Sequence, residues 1–450
     1  MLVAAGIAVT TTEVVAPATA HVRKTTQRRV IGATGETDGT HASAPSRPPR
    51  AFAPFATDSR GGRWIASWGA APQAPSRAQP TALRGFRNVT LRQIVISSSA
   101  GTEVRVRFSN AYGRRPLRIG AATVAIERGH GAGLVARTLR RLHFGGSVSV
   151  RVPAGADALS DPVGLAVRPF TRLAISTYLP SPTGPATVHP EARQRGFLGP
   201  GDRVTGTTGG RFHRRLASQY LLDGLDTLSP ARYDGALVAF GDSITAGVGA
   251  TVGAMDSWPE VLGRRLNALS GDTLSVVNEG IGGNRVLNDA PCCGPNAVAR
   301  FGADAIGQTG VREVILLEGV NDLGYSQKRG AMSDPHTDVT AEDVVAGYEQ
   351  IIAQAHAAGL RIIGATLTPF RGARYWTPAA EAKREQINHW ILTSGAFDGV
   401  IDFAGALADP AQPQRLDPRY DSGDHLHPND AGYRAMAAAI DLRMLTFGLS

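Results

Sequence analysis

The sequence predicts two joined parts: an antiparallel β-sandwich, then an α/β domain whose parallel sheet carries helices on both faces. Three observations carry this expectation. Between Trp64 and Leu228, short β-like runs follow one another with turn residues between them and no helical periodicity. After about residue 232, apolar runs alternate with amphipathic helical stretches in five successive units. At 450 residues the chain is long for one core, and its 53 glycines and 28 prolines suit a turn-rich β portion.

The N-terminus reads as targeting and linker sequence. "MLVAAGIAVTTTEVVAPATA" holds a short apolar run, Leu2 to Val9, followed by the small-residue pattern Ala18-Thr19-Ala20. The run is too short to span a bilayer, so residues 1–20 are expected to be a secretory signal and the protein to be secreted. A basic leading region is missing, which leaves the true start codon open. Residues 21–61, rich in Arg, Thr, Ala, Ser and Pro, lack apolar periodicity and read as a disordered linker. Its basic cluster "HVRKTTQRR" has no interleaved aromatics and reads as a solvated linker, not a nucleic-acid arm. The formal charge of +9 would still attract an acidic polymer or an anionic wall.

Residues 62–231 are assigned to the β-sandwich, of jelly-roll type. "LRQIVISSSA", "TEVRVRFSNAYG", "LRIGAATVAIE", "SVSVRVPAG" and "TRLAISTYLP" are its successive strands, and "QYLLDGLDTL" supplies the last. In the second, Val104, Val106 and Phe108 alternate with Arg105 and Arg107, the period of a half-buried strand. The glycine-rich "GHGAG" (Gly129 to Gly133) opens no helix and is not a phosphate cradle.

Residues 232–450 form the α/β part. "ALVAF" precedes "SWPEVLGRRLNAL", "LSVVNEG" precedes "NAVARFGADAI", and "REVILLEG" precedes "AEDVVAGYEQIIAQAHAAG". "RIIGATLTP" and "GVIDFAGAL" lead into the last two helices. The two cysteines, Cys292 and Cys293, are adjacent and cannot staple distant segments. A strained vicinal disulfide and a pair of reduced thiols both remain open.

Ligands of such sheets bind beyond the carboxyl ends of the strands. Four segments fall there: "GDSIT" after the first run, "NEGIGGNR" after the second, "EGVND" after the third and "SGDHLHP" before the final helix. Their residue types suit acyl transfer. Ser243 needs a base to become a nucleophile, His427 supplies one, and Asp424 three residues earlier can hold the imidazole from its other nitrogen. The backbone N–H groups of Ser243 and Gly283 and the amide of Asn321 could receive a developing oxyanion. Gly280 or Gly282 could replace Gly283 in that role.

"GDS", "GIGGN", "GVND" and "DHLH" resemble, in order and approximate spacing, the four blocks of the SGNH (GDSL-type) hydrolases. Ser243, Gly283, Asn321 and His427 match the namesake residues and Asp424 the triad acid. The resemblance covers about residues 235–450. It implies a flavodoxin-like αβα sandwich, esterase or lipase-type activity, and no metal or cofactor. The segment from Trp64 to Leu228 is similar, more loosely, to a β-sandwich found ahead of this domain in some secreted actinobacterial members. The pattern departs from G-x-S-x-G, because Thr245 stands at the second glycine.

Asp242 is expected to serve the turn and helix start rather than the chemistry, and Asn284 and Arg285 to line the pocket or support it. "DHLH" also offers an H-x-H pair, His425 and His427, but no second ligand cluster accompanies it, so no metal site is expected. The resulting expectation is a secreted serine esterase, monomeric, acting on short acyl esters such as acetyl groups on polysaccharide. It needs no nucleic acid and no stable membrane insertion. Lipid or aryl ester hydrolysis, a carbohydrate-binding protein with a degenerate hydrolase domain, and a basic wall-adhesion protein are the alternatives.

Overall fold

The computed structural model describes residues 62–326, 328–330, 333–334 and 336–445, all within one compact unit. The expected signal and linker segments lie outside these residues. No helix among the described residues is long and apolar enough to cross a membrane.

Residues 63–229 build two large antiparallel sheets and two short two-stranded ones. One large sheet orders its strands Arg63–Gly69, Leu222–Ser229, Gly101–Ser109 and Val163–Val167, with Asp157–Leu159 also beside Gly101–Ser109. In the other, Val89–Ile96 lies between Gly196–Pro200 and Arg172–Leu179, which in turn pairs with Ala121–Arg128. Val104, Val106 and Phe108 from the first sheet and Leu91, Val95 and Ile175 from the second share one buried core. Burying such side chains is worth about 1.5–3 kcal/mol each, the main force closing the sheets face to face.

The chain then enters a parallel sheet with strands Tyr233–Gly241, Thr273–Gly280, Val311–Leu317, Arg361–Ala365 and Gly399–Ile401. In chain order they lie 2-1-3-4-5, the flavodoxin-like arrangement. The first strand is buried from Gly235 to Gly241, as expected of a central parallel strand. Crossover helices include Trp258–Asn267, Ala341–Ala357 and Pro378–Thr393, and Asp430–Ala439 follows the last strand. Their starts follow local chemistry. Ser257 with Glu260 and Thr340 with Asp343 form capping boxes, and Asn429 accepts from the N–H groups of Ala431 and Gly432.

One expectation is corrected. The Arg105/Arg107 face of the strand Gly101–Ser109 does not face water. Arg105 binds Asp226 at 2.8 Å and stacks over Trp64, while Arg107 is buried and donates to Thr309 Oγ1 at 3.3 Å. Thr309 precedes the third parallel strand, so this polar face packs against the α/β part. Alternation records the sheet's two faces but cannot tell water from a polar interface.

The seam between the parts is hydrogen-bonded. Ala66 N–H donates to Thr309 O at 2.8 Å, and Ser98 and Ser275 hydroxyls meet at 2.6 Å. Val276, on the edge strand of the parallel sheet, donates its backbone N–H to Ser98 Oγ at 3.1 Å. The antiparallel part thereby covers an edge that would otherwise present unpaired backbone groups.

Candidate active site

The first strand ends at Gly241, whose bare backbone packs closely on the neighbouring strand. A Cβ at Gly241 would fall 2.1 Å from Leu317 O. Asp242 then caps the short helix Ser243–Ala246, its carboxylate accepting from Ile244 N–H at 2.8 Å, and Gly247 closes it with φ 91°. Because Asp242 does the capping, the Ser243 hydroxyl is free for another partner. As first residue of the helix, Ser243 also has a backbone N–H without an intrahelical acceptor.

That partner is His427. Ser243 Oγ lies 2.8 Å from His427 Nε2, and His427 Nδ1 lies 2.5 Å from Asp424 Oδ2. Asp424 also accepts the backbone N–H groups of Leu426 and His427 through Oδ1, at 3.0 and 2.8 Å. Partial burial pushes its carboxyl up, but these bonds and the facing imidazole outweigh burial and hold it well below the usual carboxylate range. The other histidine of the H-x-H pair turns elsewhere. His425 Nδ1 binds Asp421 Oδ2 at 2.6 Å, with its backbone at φ 62°.

The glycines of the second loop divide their tasks. Gly280 donates its N–H to Asn278 Oδ1, and a Cβ there would fall 2.3 Å from Ala246 N, so it serves helix packing. Gly282 lies against the Glu191 carboxylate. Gly283 takes φ 75° in the turn closed by Asn284 N–H to Ile281 O, a conformation that favours glycine.

Asn321 stands in the helix Val320–Ser326, after the third strand. Its Nδ2 donates to Asn284 O at 3.0 Å, next to Gly283, and its Oδ1 accepts from Tyr375 OH at 3.1 Å. The tyrosine fixes the amide's orientation and leaves Nδ2 one further hydrogen. Asn284 and Arg285 are both buried. The Asn284 amide is spent on the carbonyls of Cys293 and Pro295 and on Arg300 Nε. Cys292 and Cys293 form a disulfide within that loop.

Several supporting residues carry no local sequence signal. Buried Arg300 donates to Gly241 O and Glu279 O, each at 2.8 Å, and stacks on Phe240, tying together the ends of two strands. Asp322 accepts the N–H groups of Val286 and Leu287 at 2.7 and 3.2 Å, joining the second and third loops. Burial pushes Asp242 up to about 7, Asp322 to about 6, and Glu318 well above its ordinary value. Tyr375 sits in "GARYW", and only its position in space reveals its contact with Asn321.

Residues 239–435 match the GDSL-like Lipase/Acylhydrolase family. This part of the chain belongs to that family, and the protein is a serine hydrolase. Solved structures similar to the hydrolase include a GDSL-like lipase from Bacteroides thetaiotaomicron, at 17% identity. That match covers 46% of this chain and 87% of the lipase, with a TM-score of 0.35. A variant of an acetyl xylan esterase from Geobacillus stearothermophilus is 22% identical, covering 48% of this chain and 97% of its own, with a TM-score of 0.37. A comparison with curated proteins gives no match.

Proposed function

We propose that the hydrolase cleaves short-acyl carboxylic esters through an acyl-enzyme on Ser243. The observation that carries this reading is the unbroken relay from Ser243 Oγ through His427 to Asp424, at 2.8 and 2.5 Å. His427 takes the hydroxyl proton as Oγ attacks the ester carbonyl, while Asp424 holds the imidazole and stabilises its cationic form. The oxyanion accepts from the N–H groups of Ser243 and Gly283 and from Asn321 Nδ2. Collapse expels the alcohol, which takes the proton from His427. Water, deprotonated by the same imidazole, then releases the acid and restores Ser243.

The alcohol side is assigned to a polar partner such as an acetylated polysaccharide, encountered outside the cell by a secreted monomer. The polar rim supports this, since the side chains of Asp424 and His425 are about half exposed. The exposed large apolar side chains among the described residues are Leu83, Val148, Leu159, Val252, Leu392 and Val400, each on a different helix, strand or loop. A lipid interface calls for a contiguous apolar patch.

The test is Ser243→Ala with a serine-directed phosphonate, and with nitrophenyl acetate, a longer-chain nitrophenyl ester and acetylated xylan as substrates. The expected outcome is a folded variant without turnover, phosphonate attached only to Ser243, and preference for acetyl over long chains. Labelling of another serine, or an active Ala variant, overturns the assignment.

A further inference from the structure

Two of the groups proposed above, the Gly283 N–H for oxyanion binding and His427 for proton transfer, stand on loops of the α/β part. Both loops are reached by one stretch of the antiparallel part, "HPEAR", His189 to Arg193. The stretch leaves a firm base. Val188 pairs with Gln73 and Tyr220, and His189 Nδ1 contacts Ala71 O at 3.0 Å.

From there Glu191 extends onto Gly282. A Cβ built on Gly282 would fall 2.4 Å from Glu191 Oε1 and 2.9 Å from its Cδ, so the carboxylate lies against the residue preceding Gly283. Gly282 is not among the residues with positive φ, so a side chain there meets no backbone strain, and the Glu191 carboxylate is the group that would have to move. Two residues on, Arg193 grips the segment that follows the nucleophile's helix. Its guanidinium donates to Ala250 O, and its carbonyl accepts Gly253 N–H at 2.9 Å.

The gripped segment presses in turn on the histidine loop. A Cβ at Gly249 would fall 2.4 Å from Pro428 O and 3.2 Å from His427 Cβ. Thr251 binds Asp430 through both N–H and Oγ1, at 2.7 and 2.6 Å. Arg193 therefore backs the wall on which His427 rests, while Glu191 backs the turn that presents the Gly283 N–H.

We infer that Glu191 and Arg193 are positioning residues, through which the antiparallel part sets the geometry of the oxyanion turn and the histidine loop. The inference rests on the catalytic reading above. An oxyanion donor must sit within a few tenths of an ångström of its place, so a contact that moves this turn changes rate more than affinity.

A double-mutant cycle in the full chain tests it, with nitrophenyl acetate as substrate. Gly282→Ala adds the methyl that collides with Glu191 and should lower kcat about tenfold with KM within about twofold. In the Glu191→Ala background the same methyl finds room and should cost less than about twofold, a coupling within the range of contacting residues. Arg193→Ala should lower kcat about fivefold at unchanged KM, and should slow phosphonate addition to Ser243 by a similar factor. Circular dichroism and Tm report whether each variant is folded. Equal effects of Gly282→Ala in both backgrounds, or unchanged kcat in folded Glu191→Ala and Arg193→Ala, overturn the inference. An active Ser243→Ala variant would instead overturn the catalytic reading beneath it.

Discussion

Two histidine–aspartate pairs stand on one loop, four residues apart or fewer, and they differ in what lies beyond them. Asp424–His427 runs on to the Ser243 hydroxyl. Asp421–His425 instead closes the loop on itself, Asp421 also accepting the backbone N–H groups of Gly423 and His425 at 2.8 and 3.0 Å. Similar pair chemistry thus serves a relay in one case and a brace in the other. The connection to a reacting atom, not the pair itself, distinguishes them.

The largest expected effect separates the two pairs. His427→Ala should lower kcat by roughly 10⁴-fold or more, because without a base the serine hydroxyl is a poor nucleophile. His425→Ala should keep at least about a tenth of the activity, a barrier change near 1.4 kcal/mol. Steady-state kinetics on one ester suffice. The reverse ranking would break the comparison.

The amides of Asn321 and Asn284 extend it. Asn321 keeps one N–H unspent, whereas the hydrogen bonds of Asn284 all go to its own surroundings. Asn321→Ala should lower kcat about 10²–10³-fold with a much smaller effect on KM. Asn284→Ala should show itself first as lost stability, by about 3 kcal/mol, since it leaves buried partners unsatisfied. Kinetics and thermal denaturation on the same two variants check the contrast, and it fails if Asn284→Ala loses rate at full stability.

The same distinction explains what could be read from sequence. The four blocks were legible because each is local: a strand end, a turn and a side chain, placed together by the rule that parallel sheets bind at their carboxyl ends. The Asp424–His427 spacing was legible for the same reason. Arg300, Tyr375, Glu191 and Arg193 were not, because their partners are distant in sequence and no local pattern marks them. The Arg105 and Arg107 face was misread for a related reason, since its partners Asp226 and Thr309 lie far along the chain. The state of Cys292 and Cys293 was also open, because adjacency permits a disulfide without requiring one.

The smallest expected effect concerns two carboxyls, the one that ends the relay and the one beside its serine, which burial and hydrogen bonding drive in opposite directions. Asp424, half exposed and bonded to His427, is held low, while buried Asp242 is pushed up to about 7. A lowered carboxyl binds fewer protons folded than unfolded, so its stabilisation is present above pH 4 and lost as pH falls through the acid range. A raised carboxyl works the other way. Between its unfolded value of 3.8 and about 7, folded Asp242 holds a proton that the unfolded chain has released, so stability declines as pH rises across that window. Asp322, raised to about 6, adds to the same decline. Tm should therefore be highest near pH 4–5 and fall toward pH 8. Asp242→Asn keeps an oxygen to accept the Ile244 N–H but has no charge to bury. It should raise Tm at pH 8 by roughly 2–4 °C, leave it unchanged at pH 4, and so flatten the slope between. An identical slope in the variant would show that Asp242 is not the group paying for burial, and would shift the decline to Asp322 and Glu318.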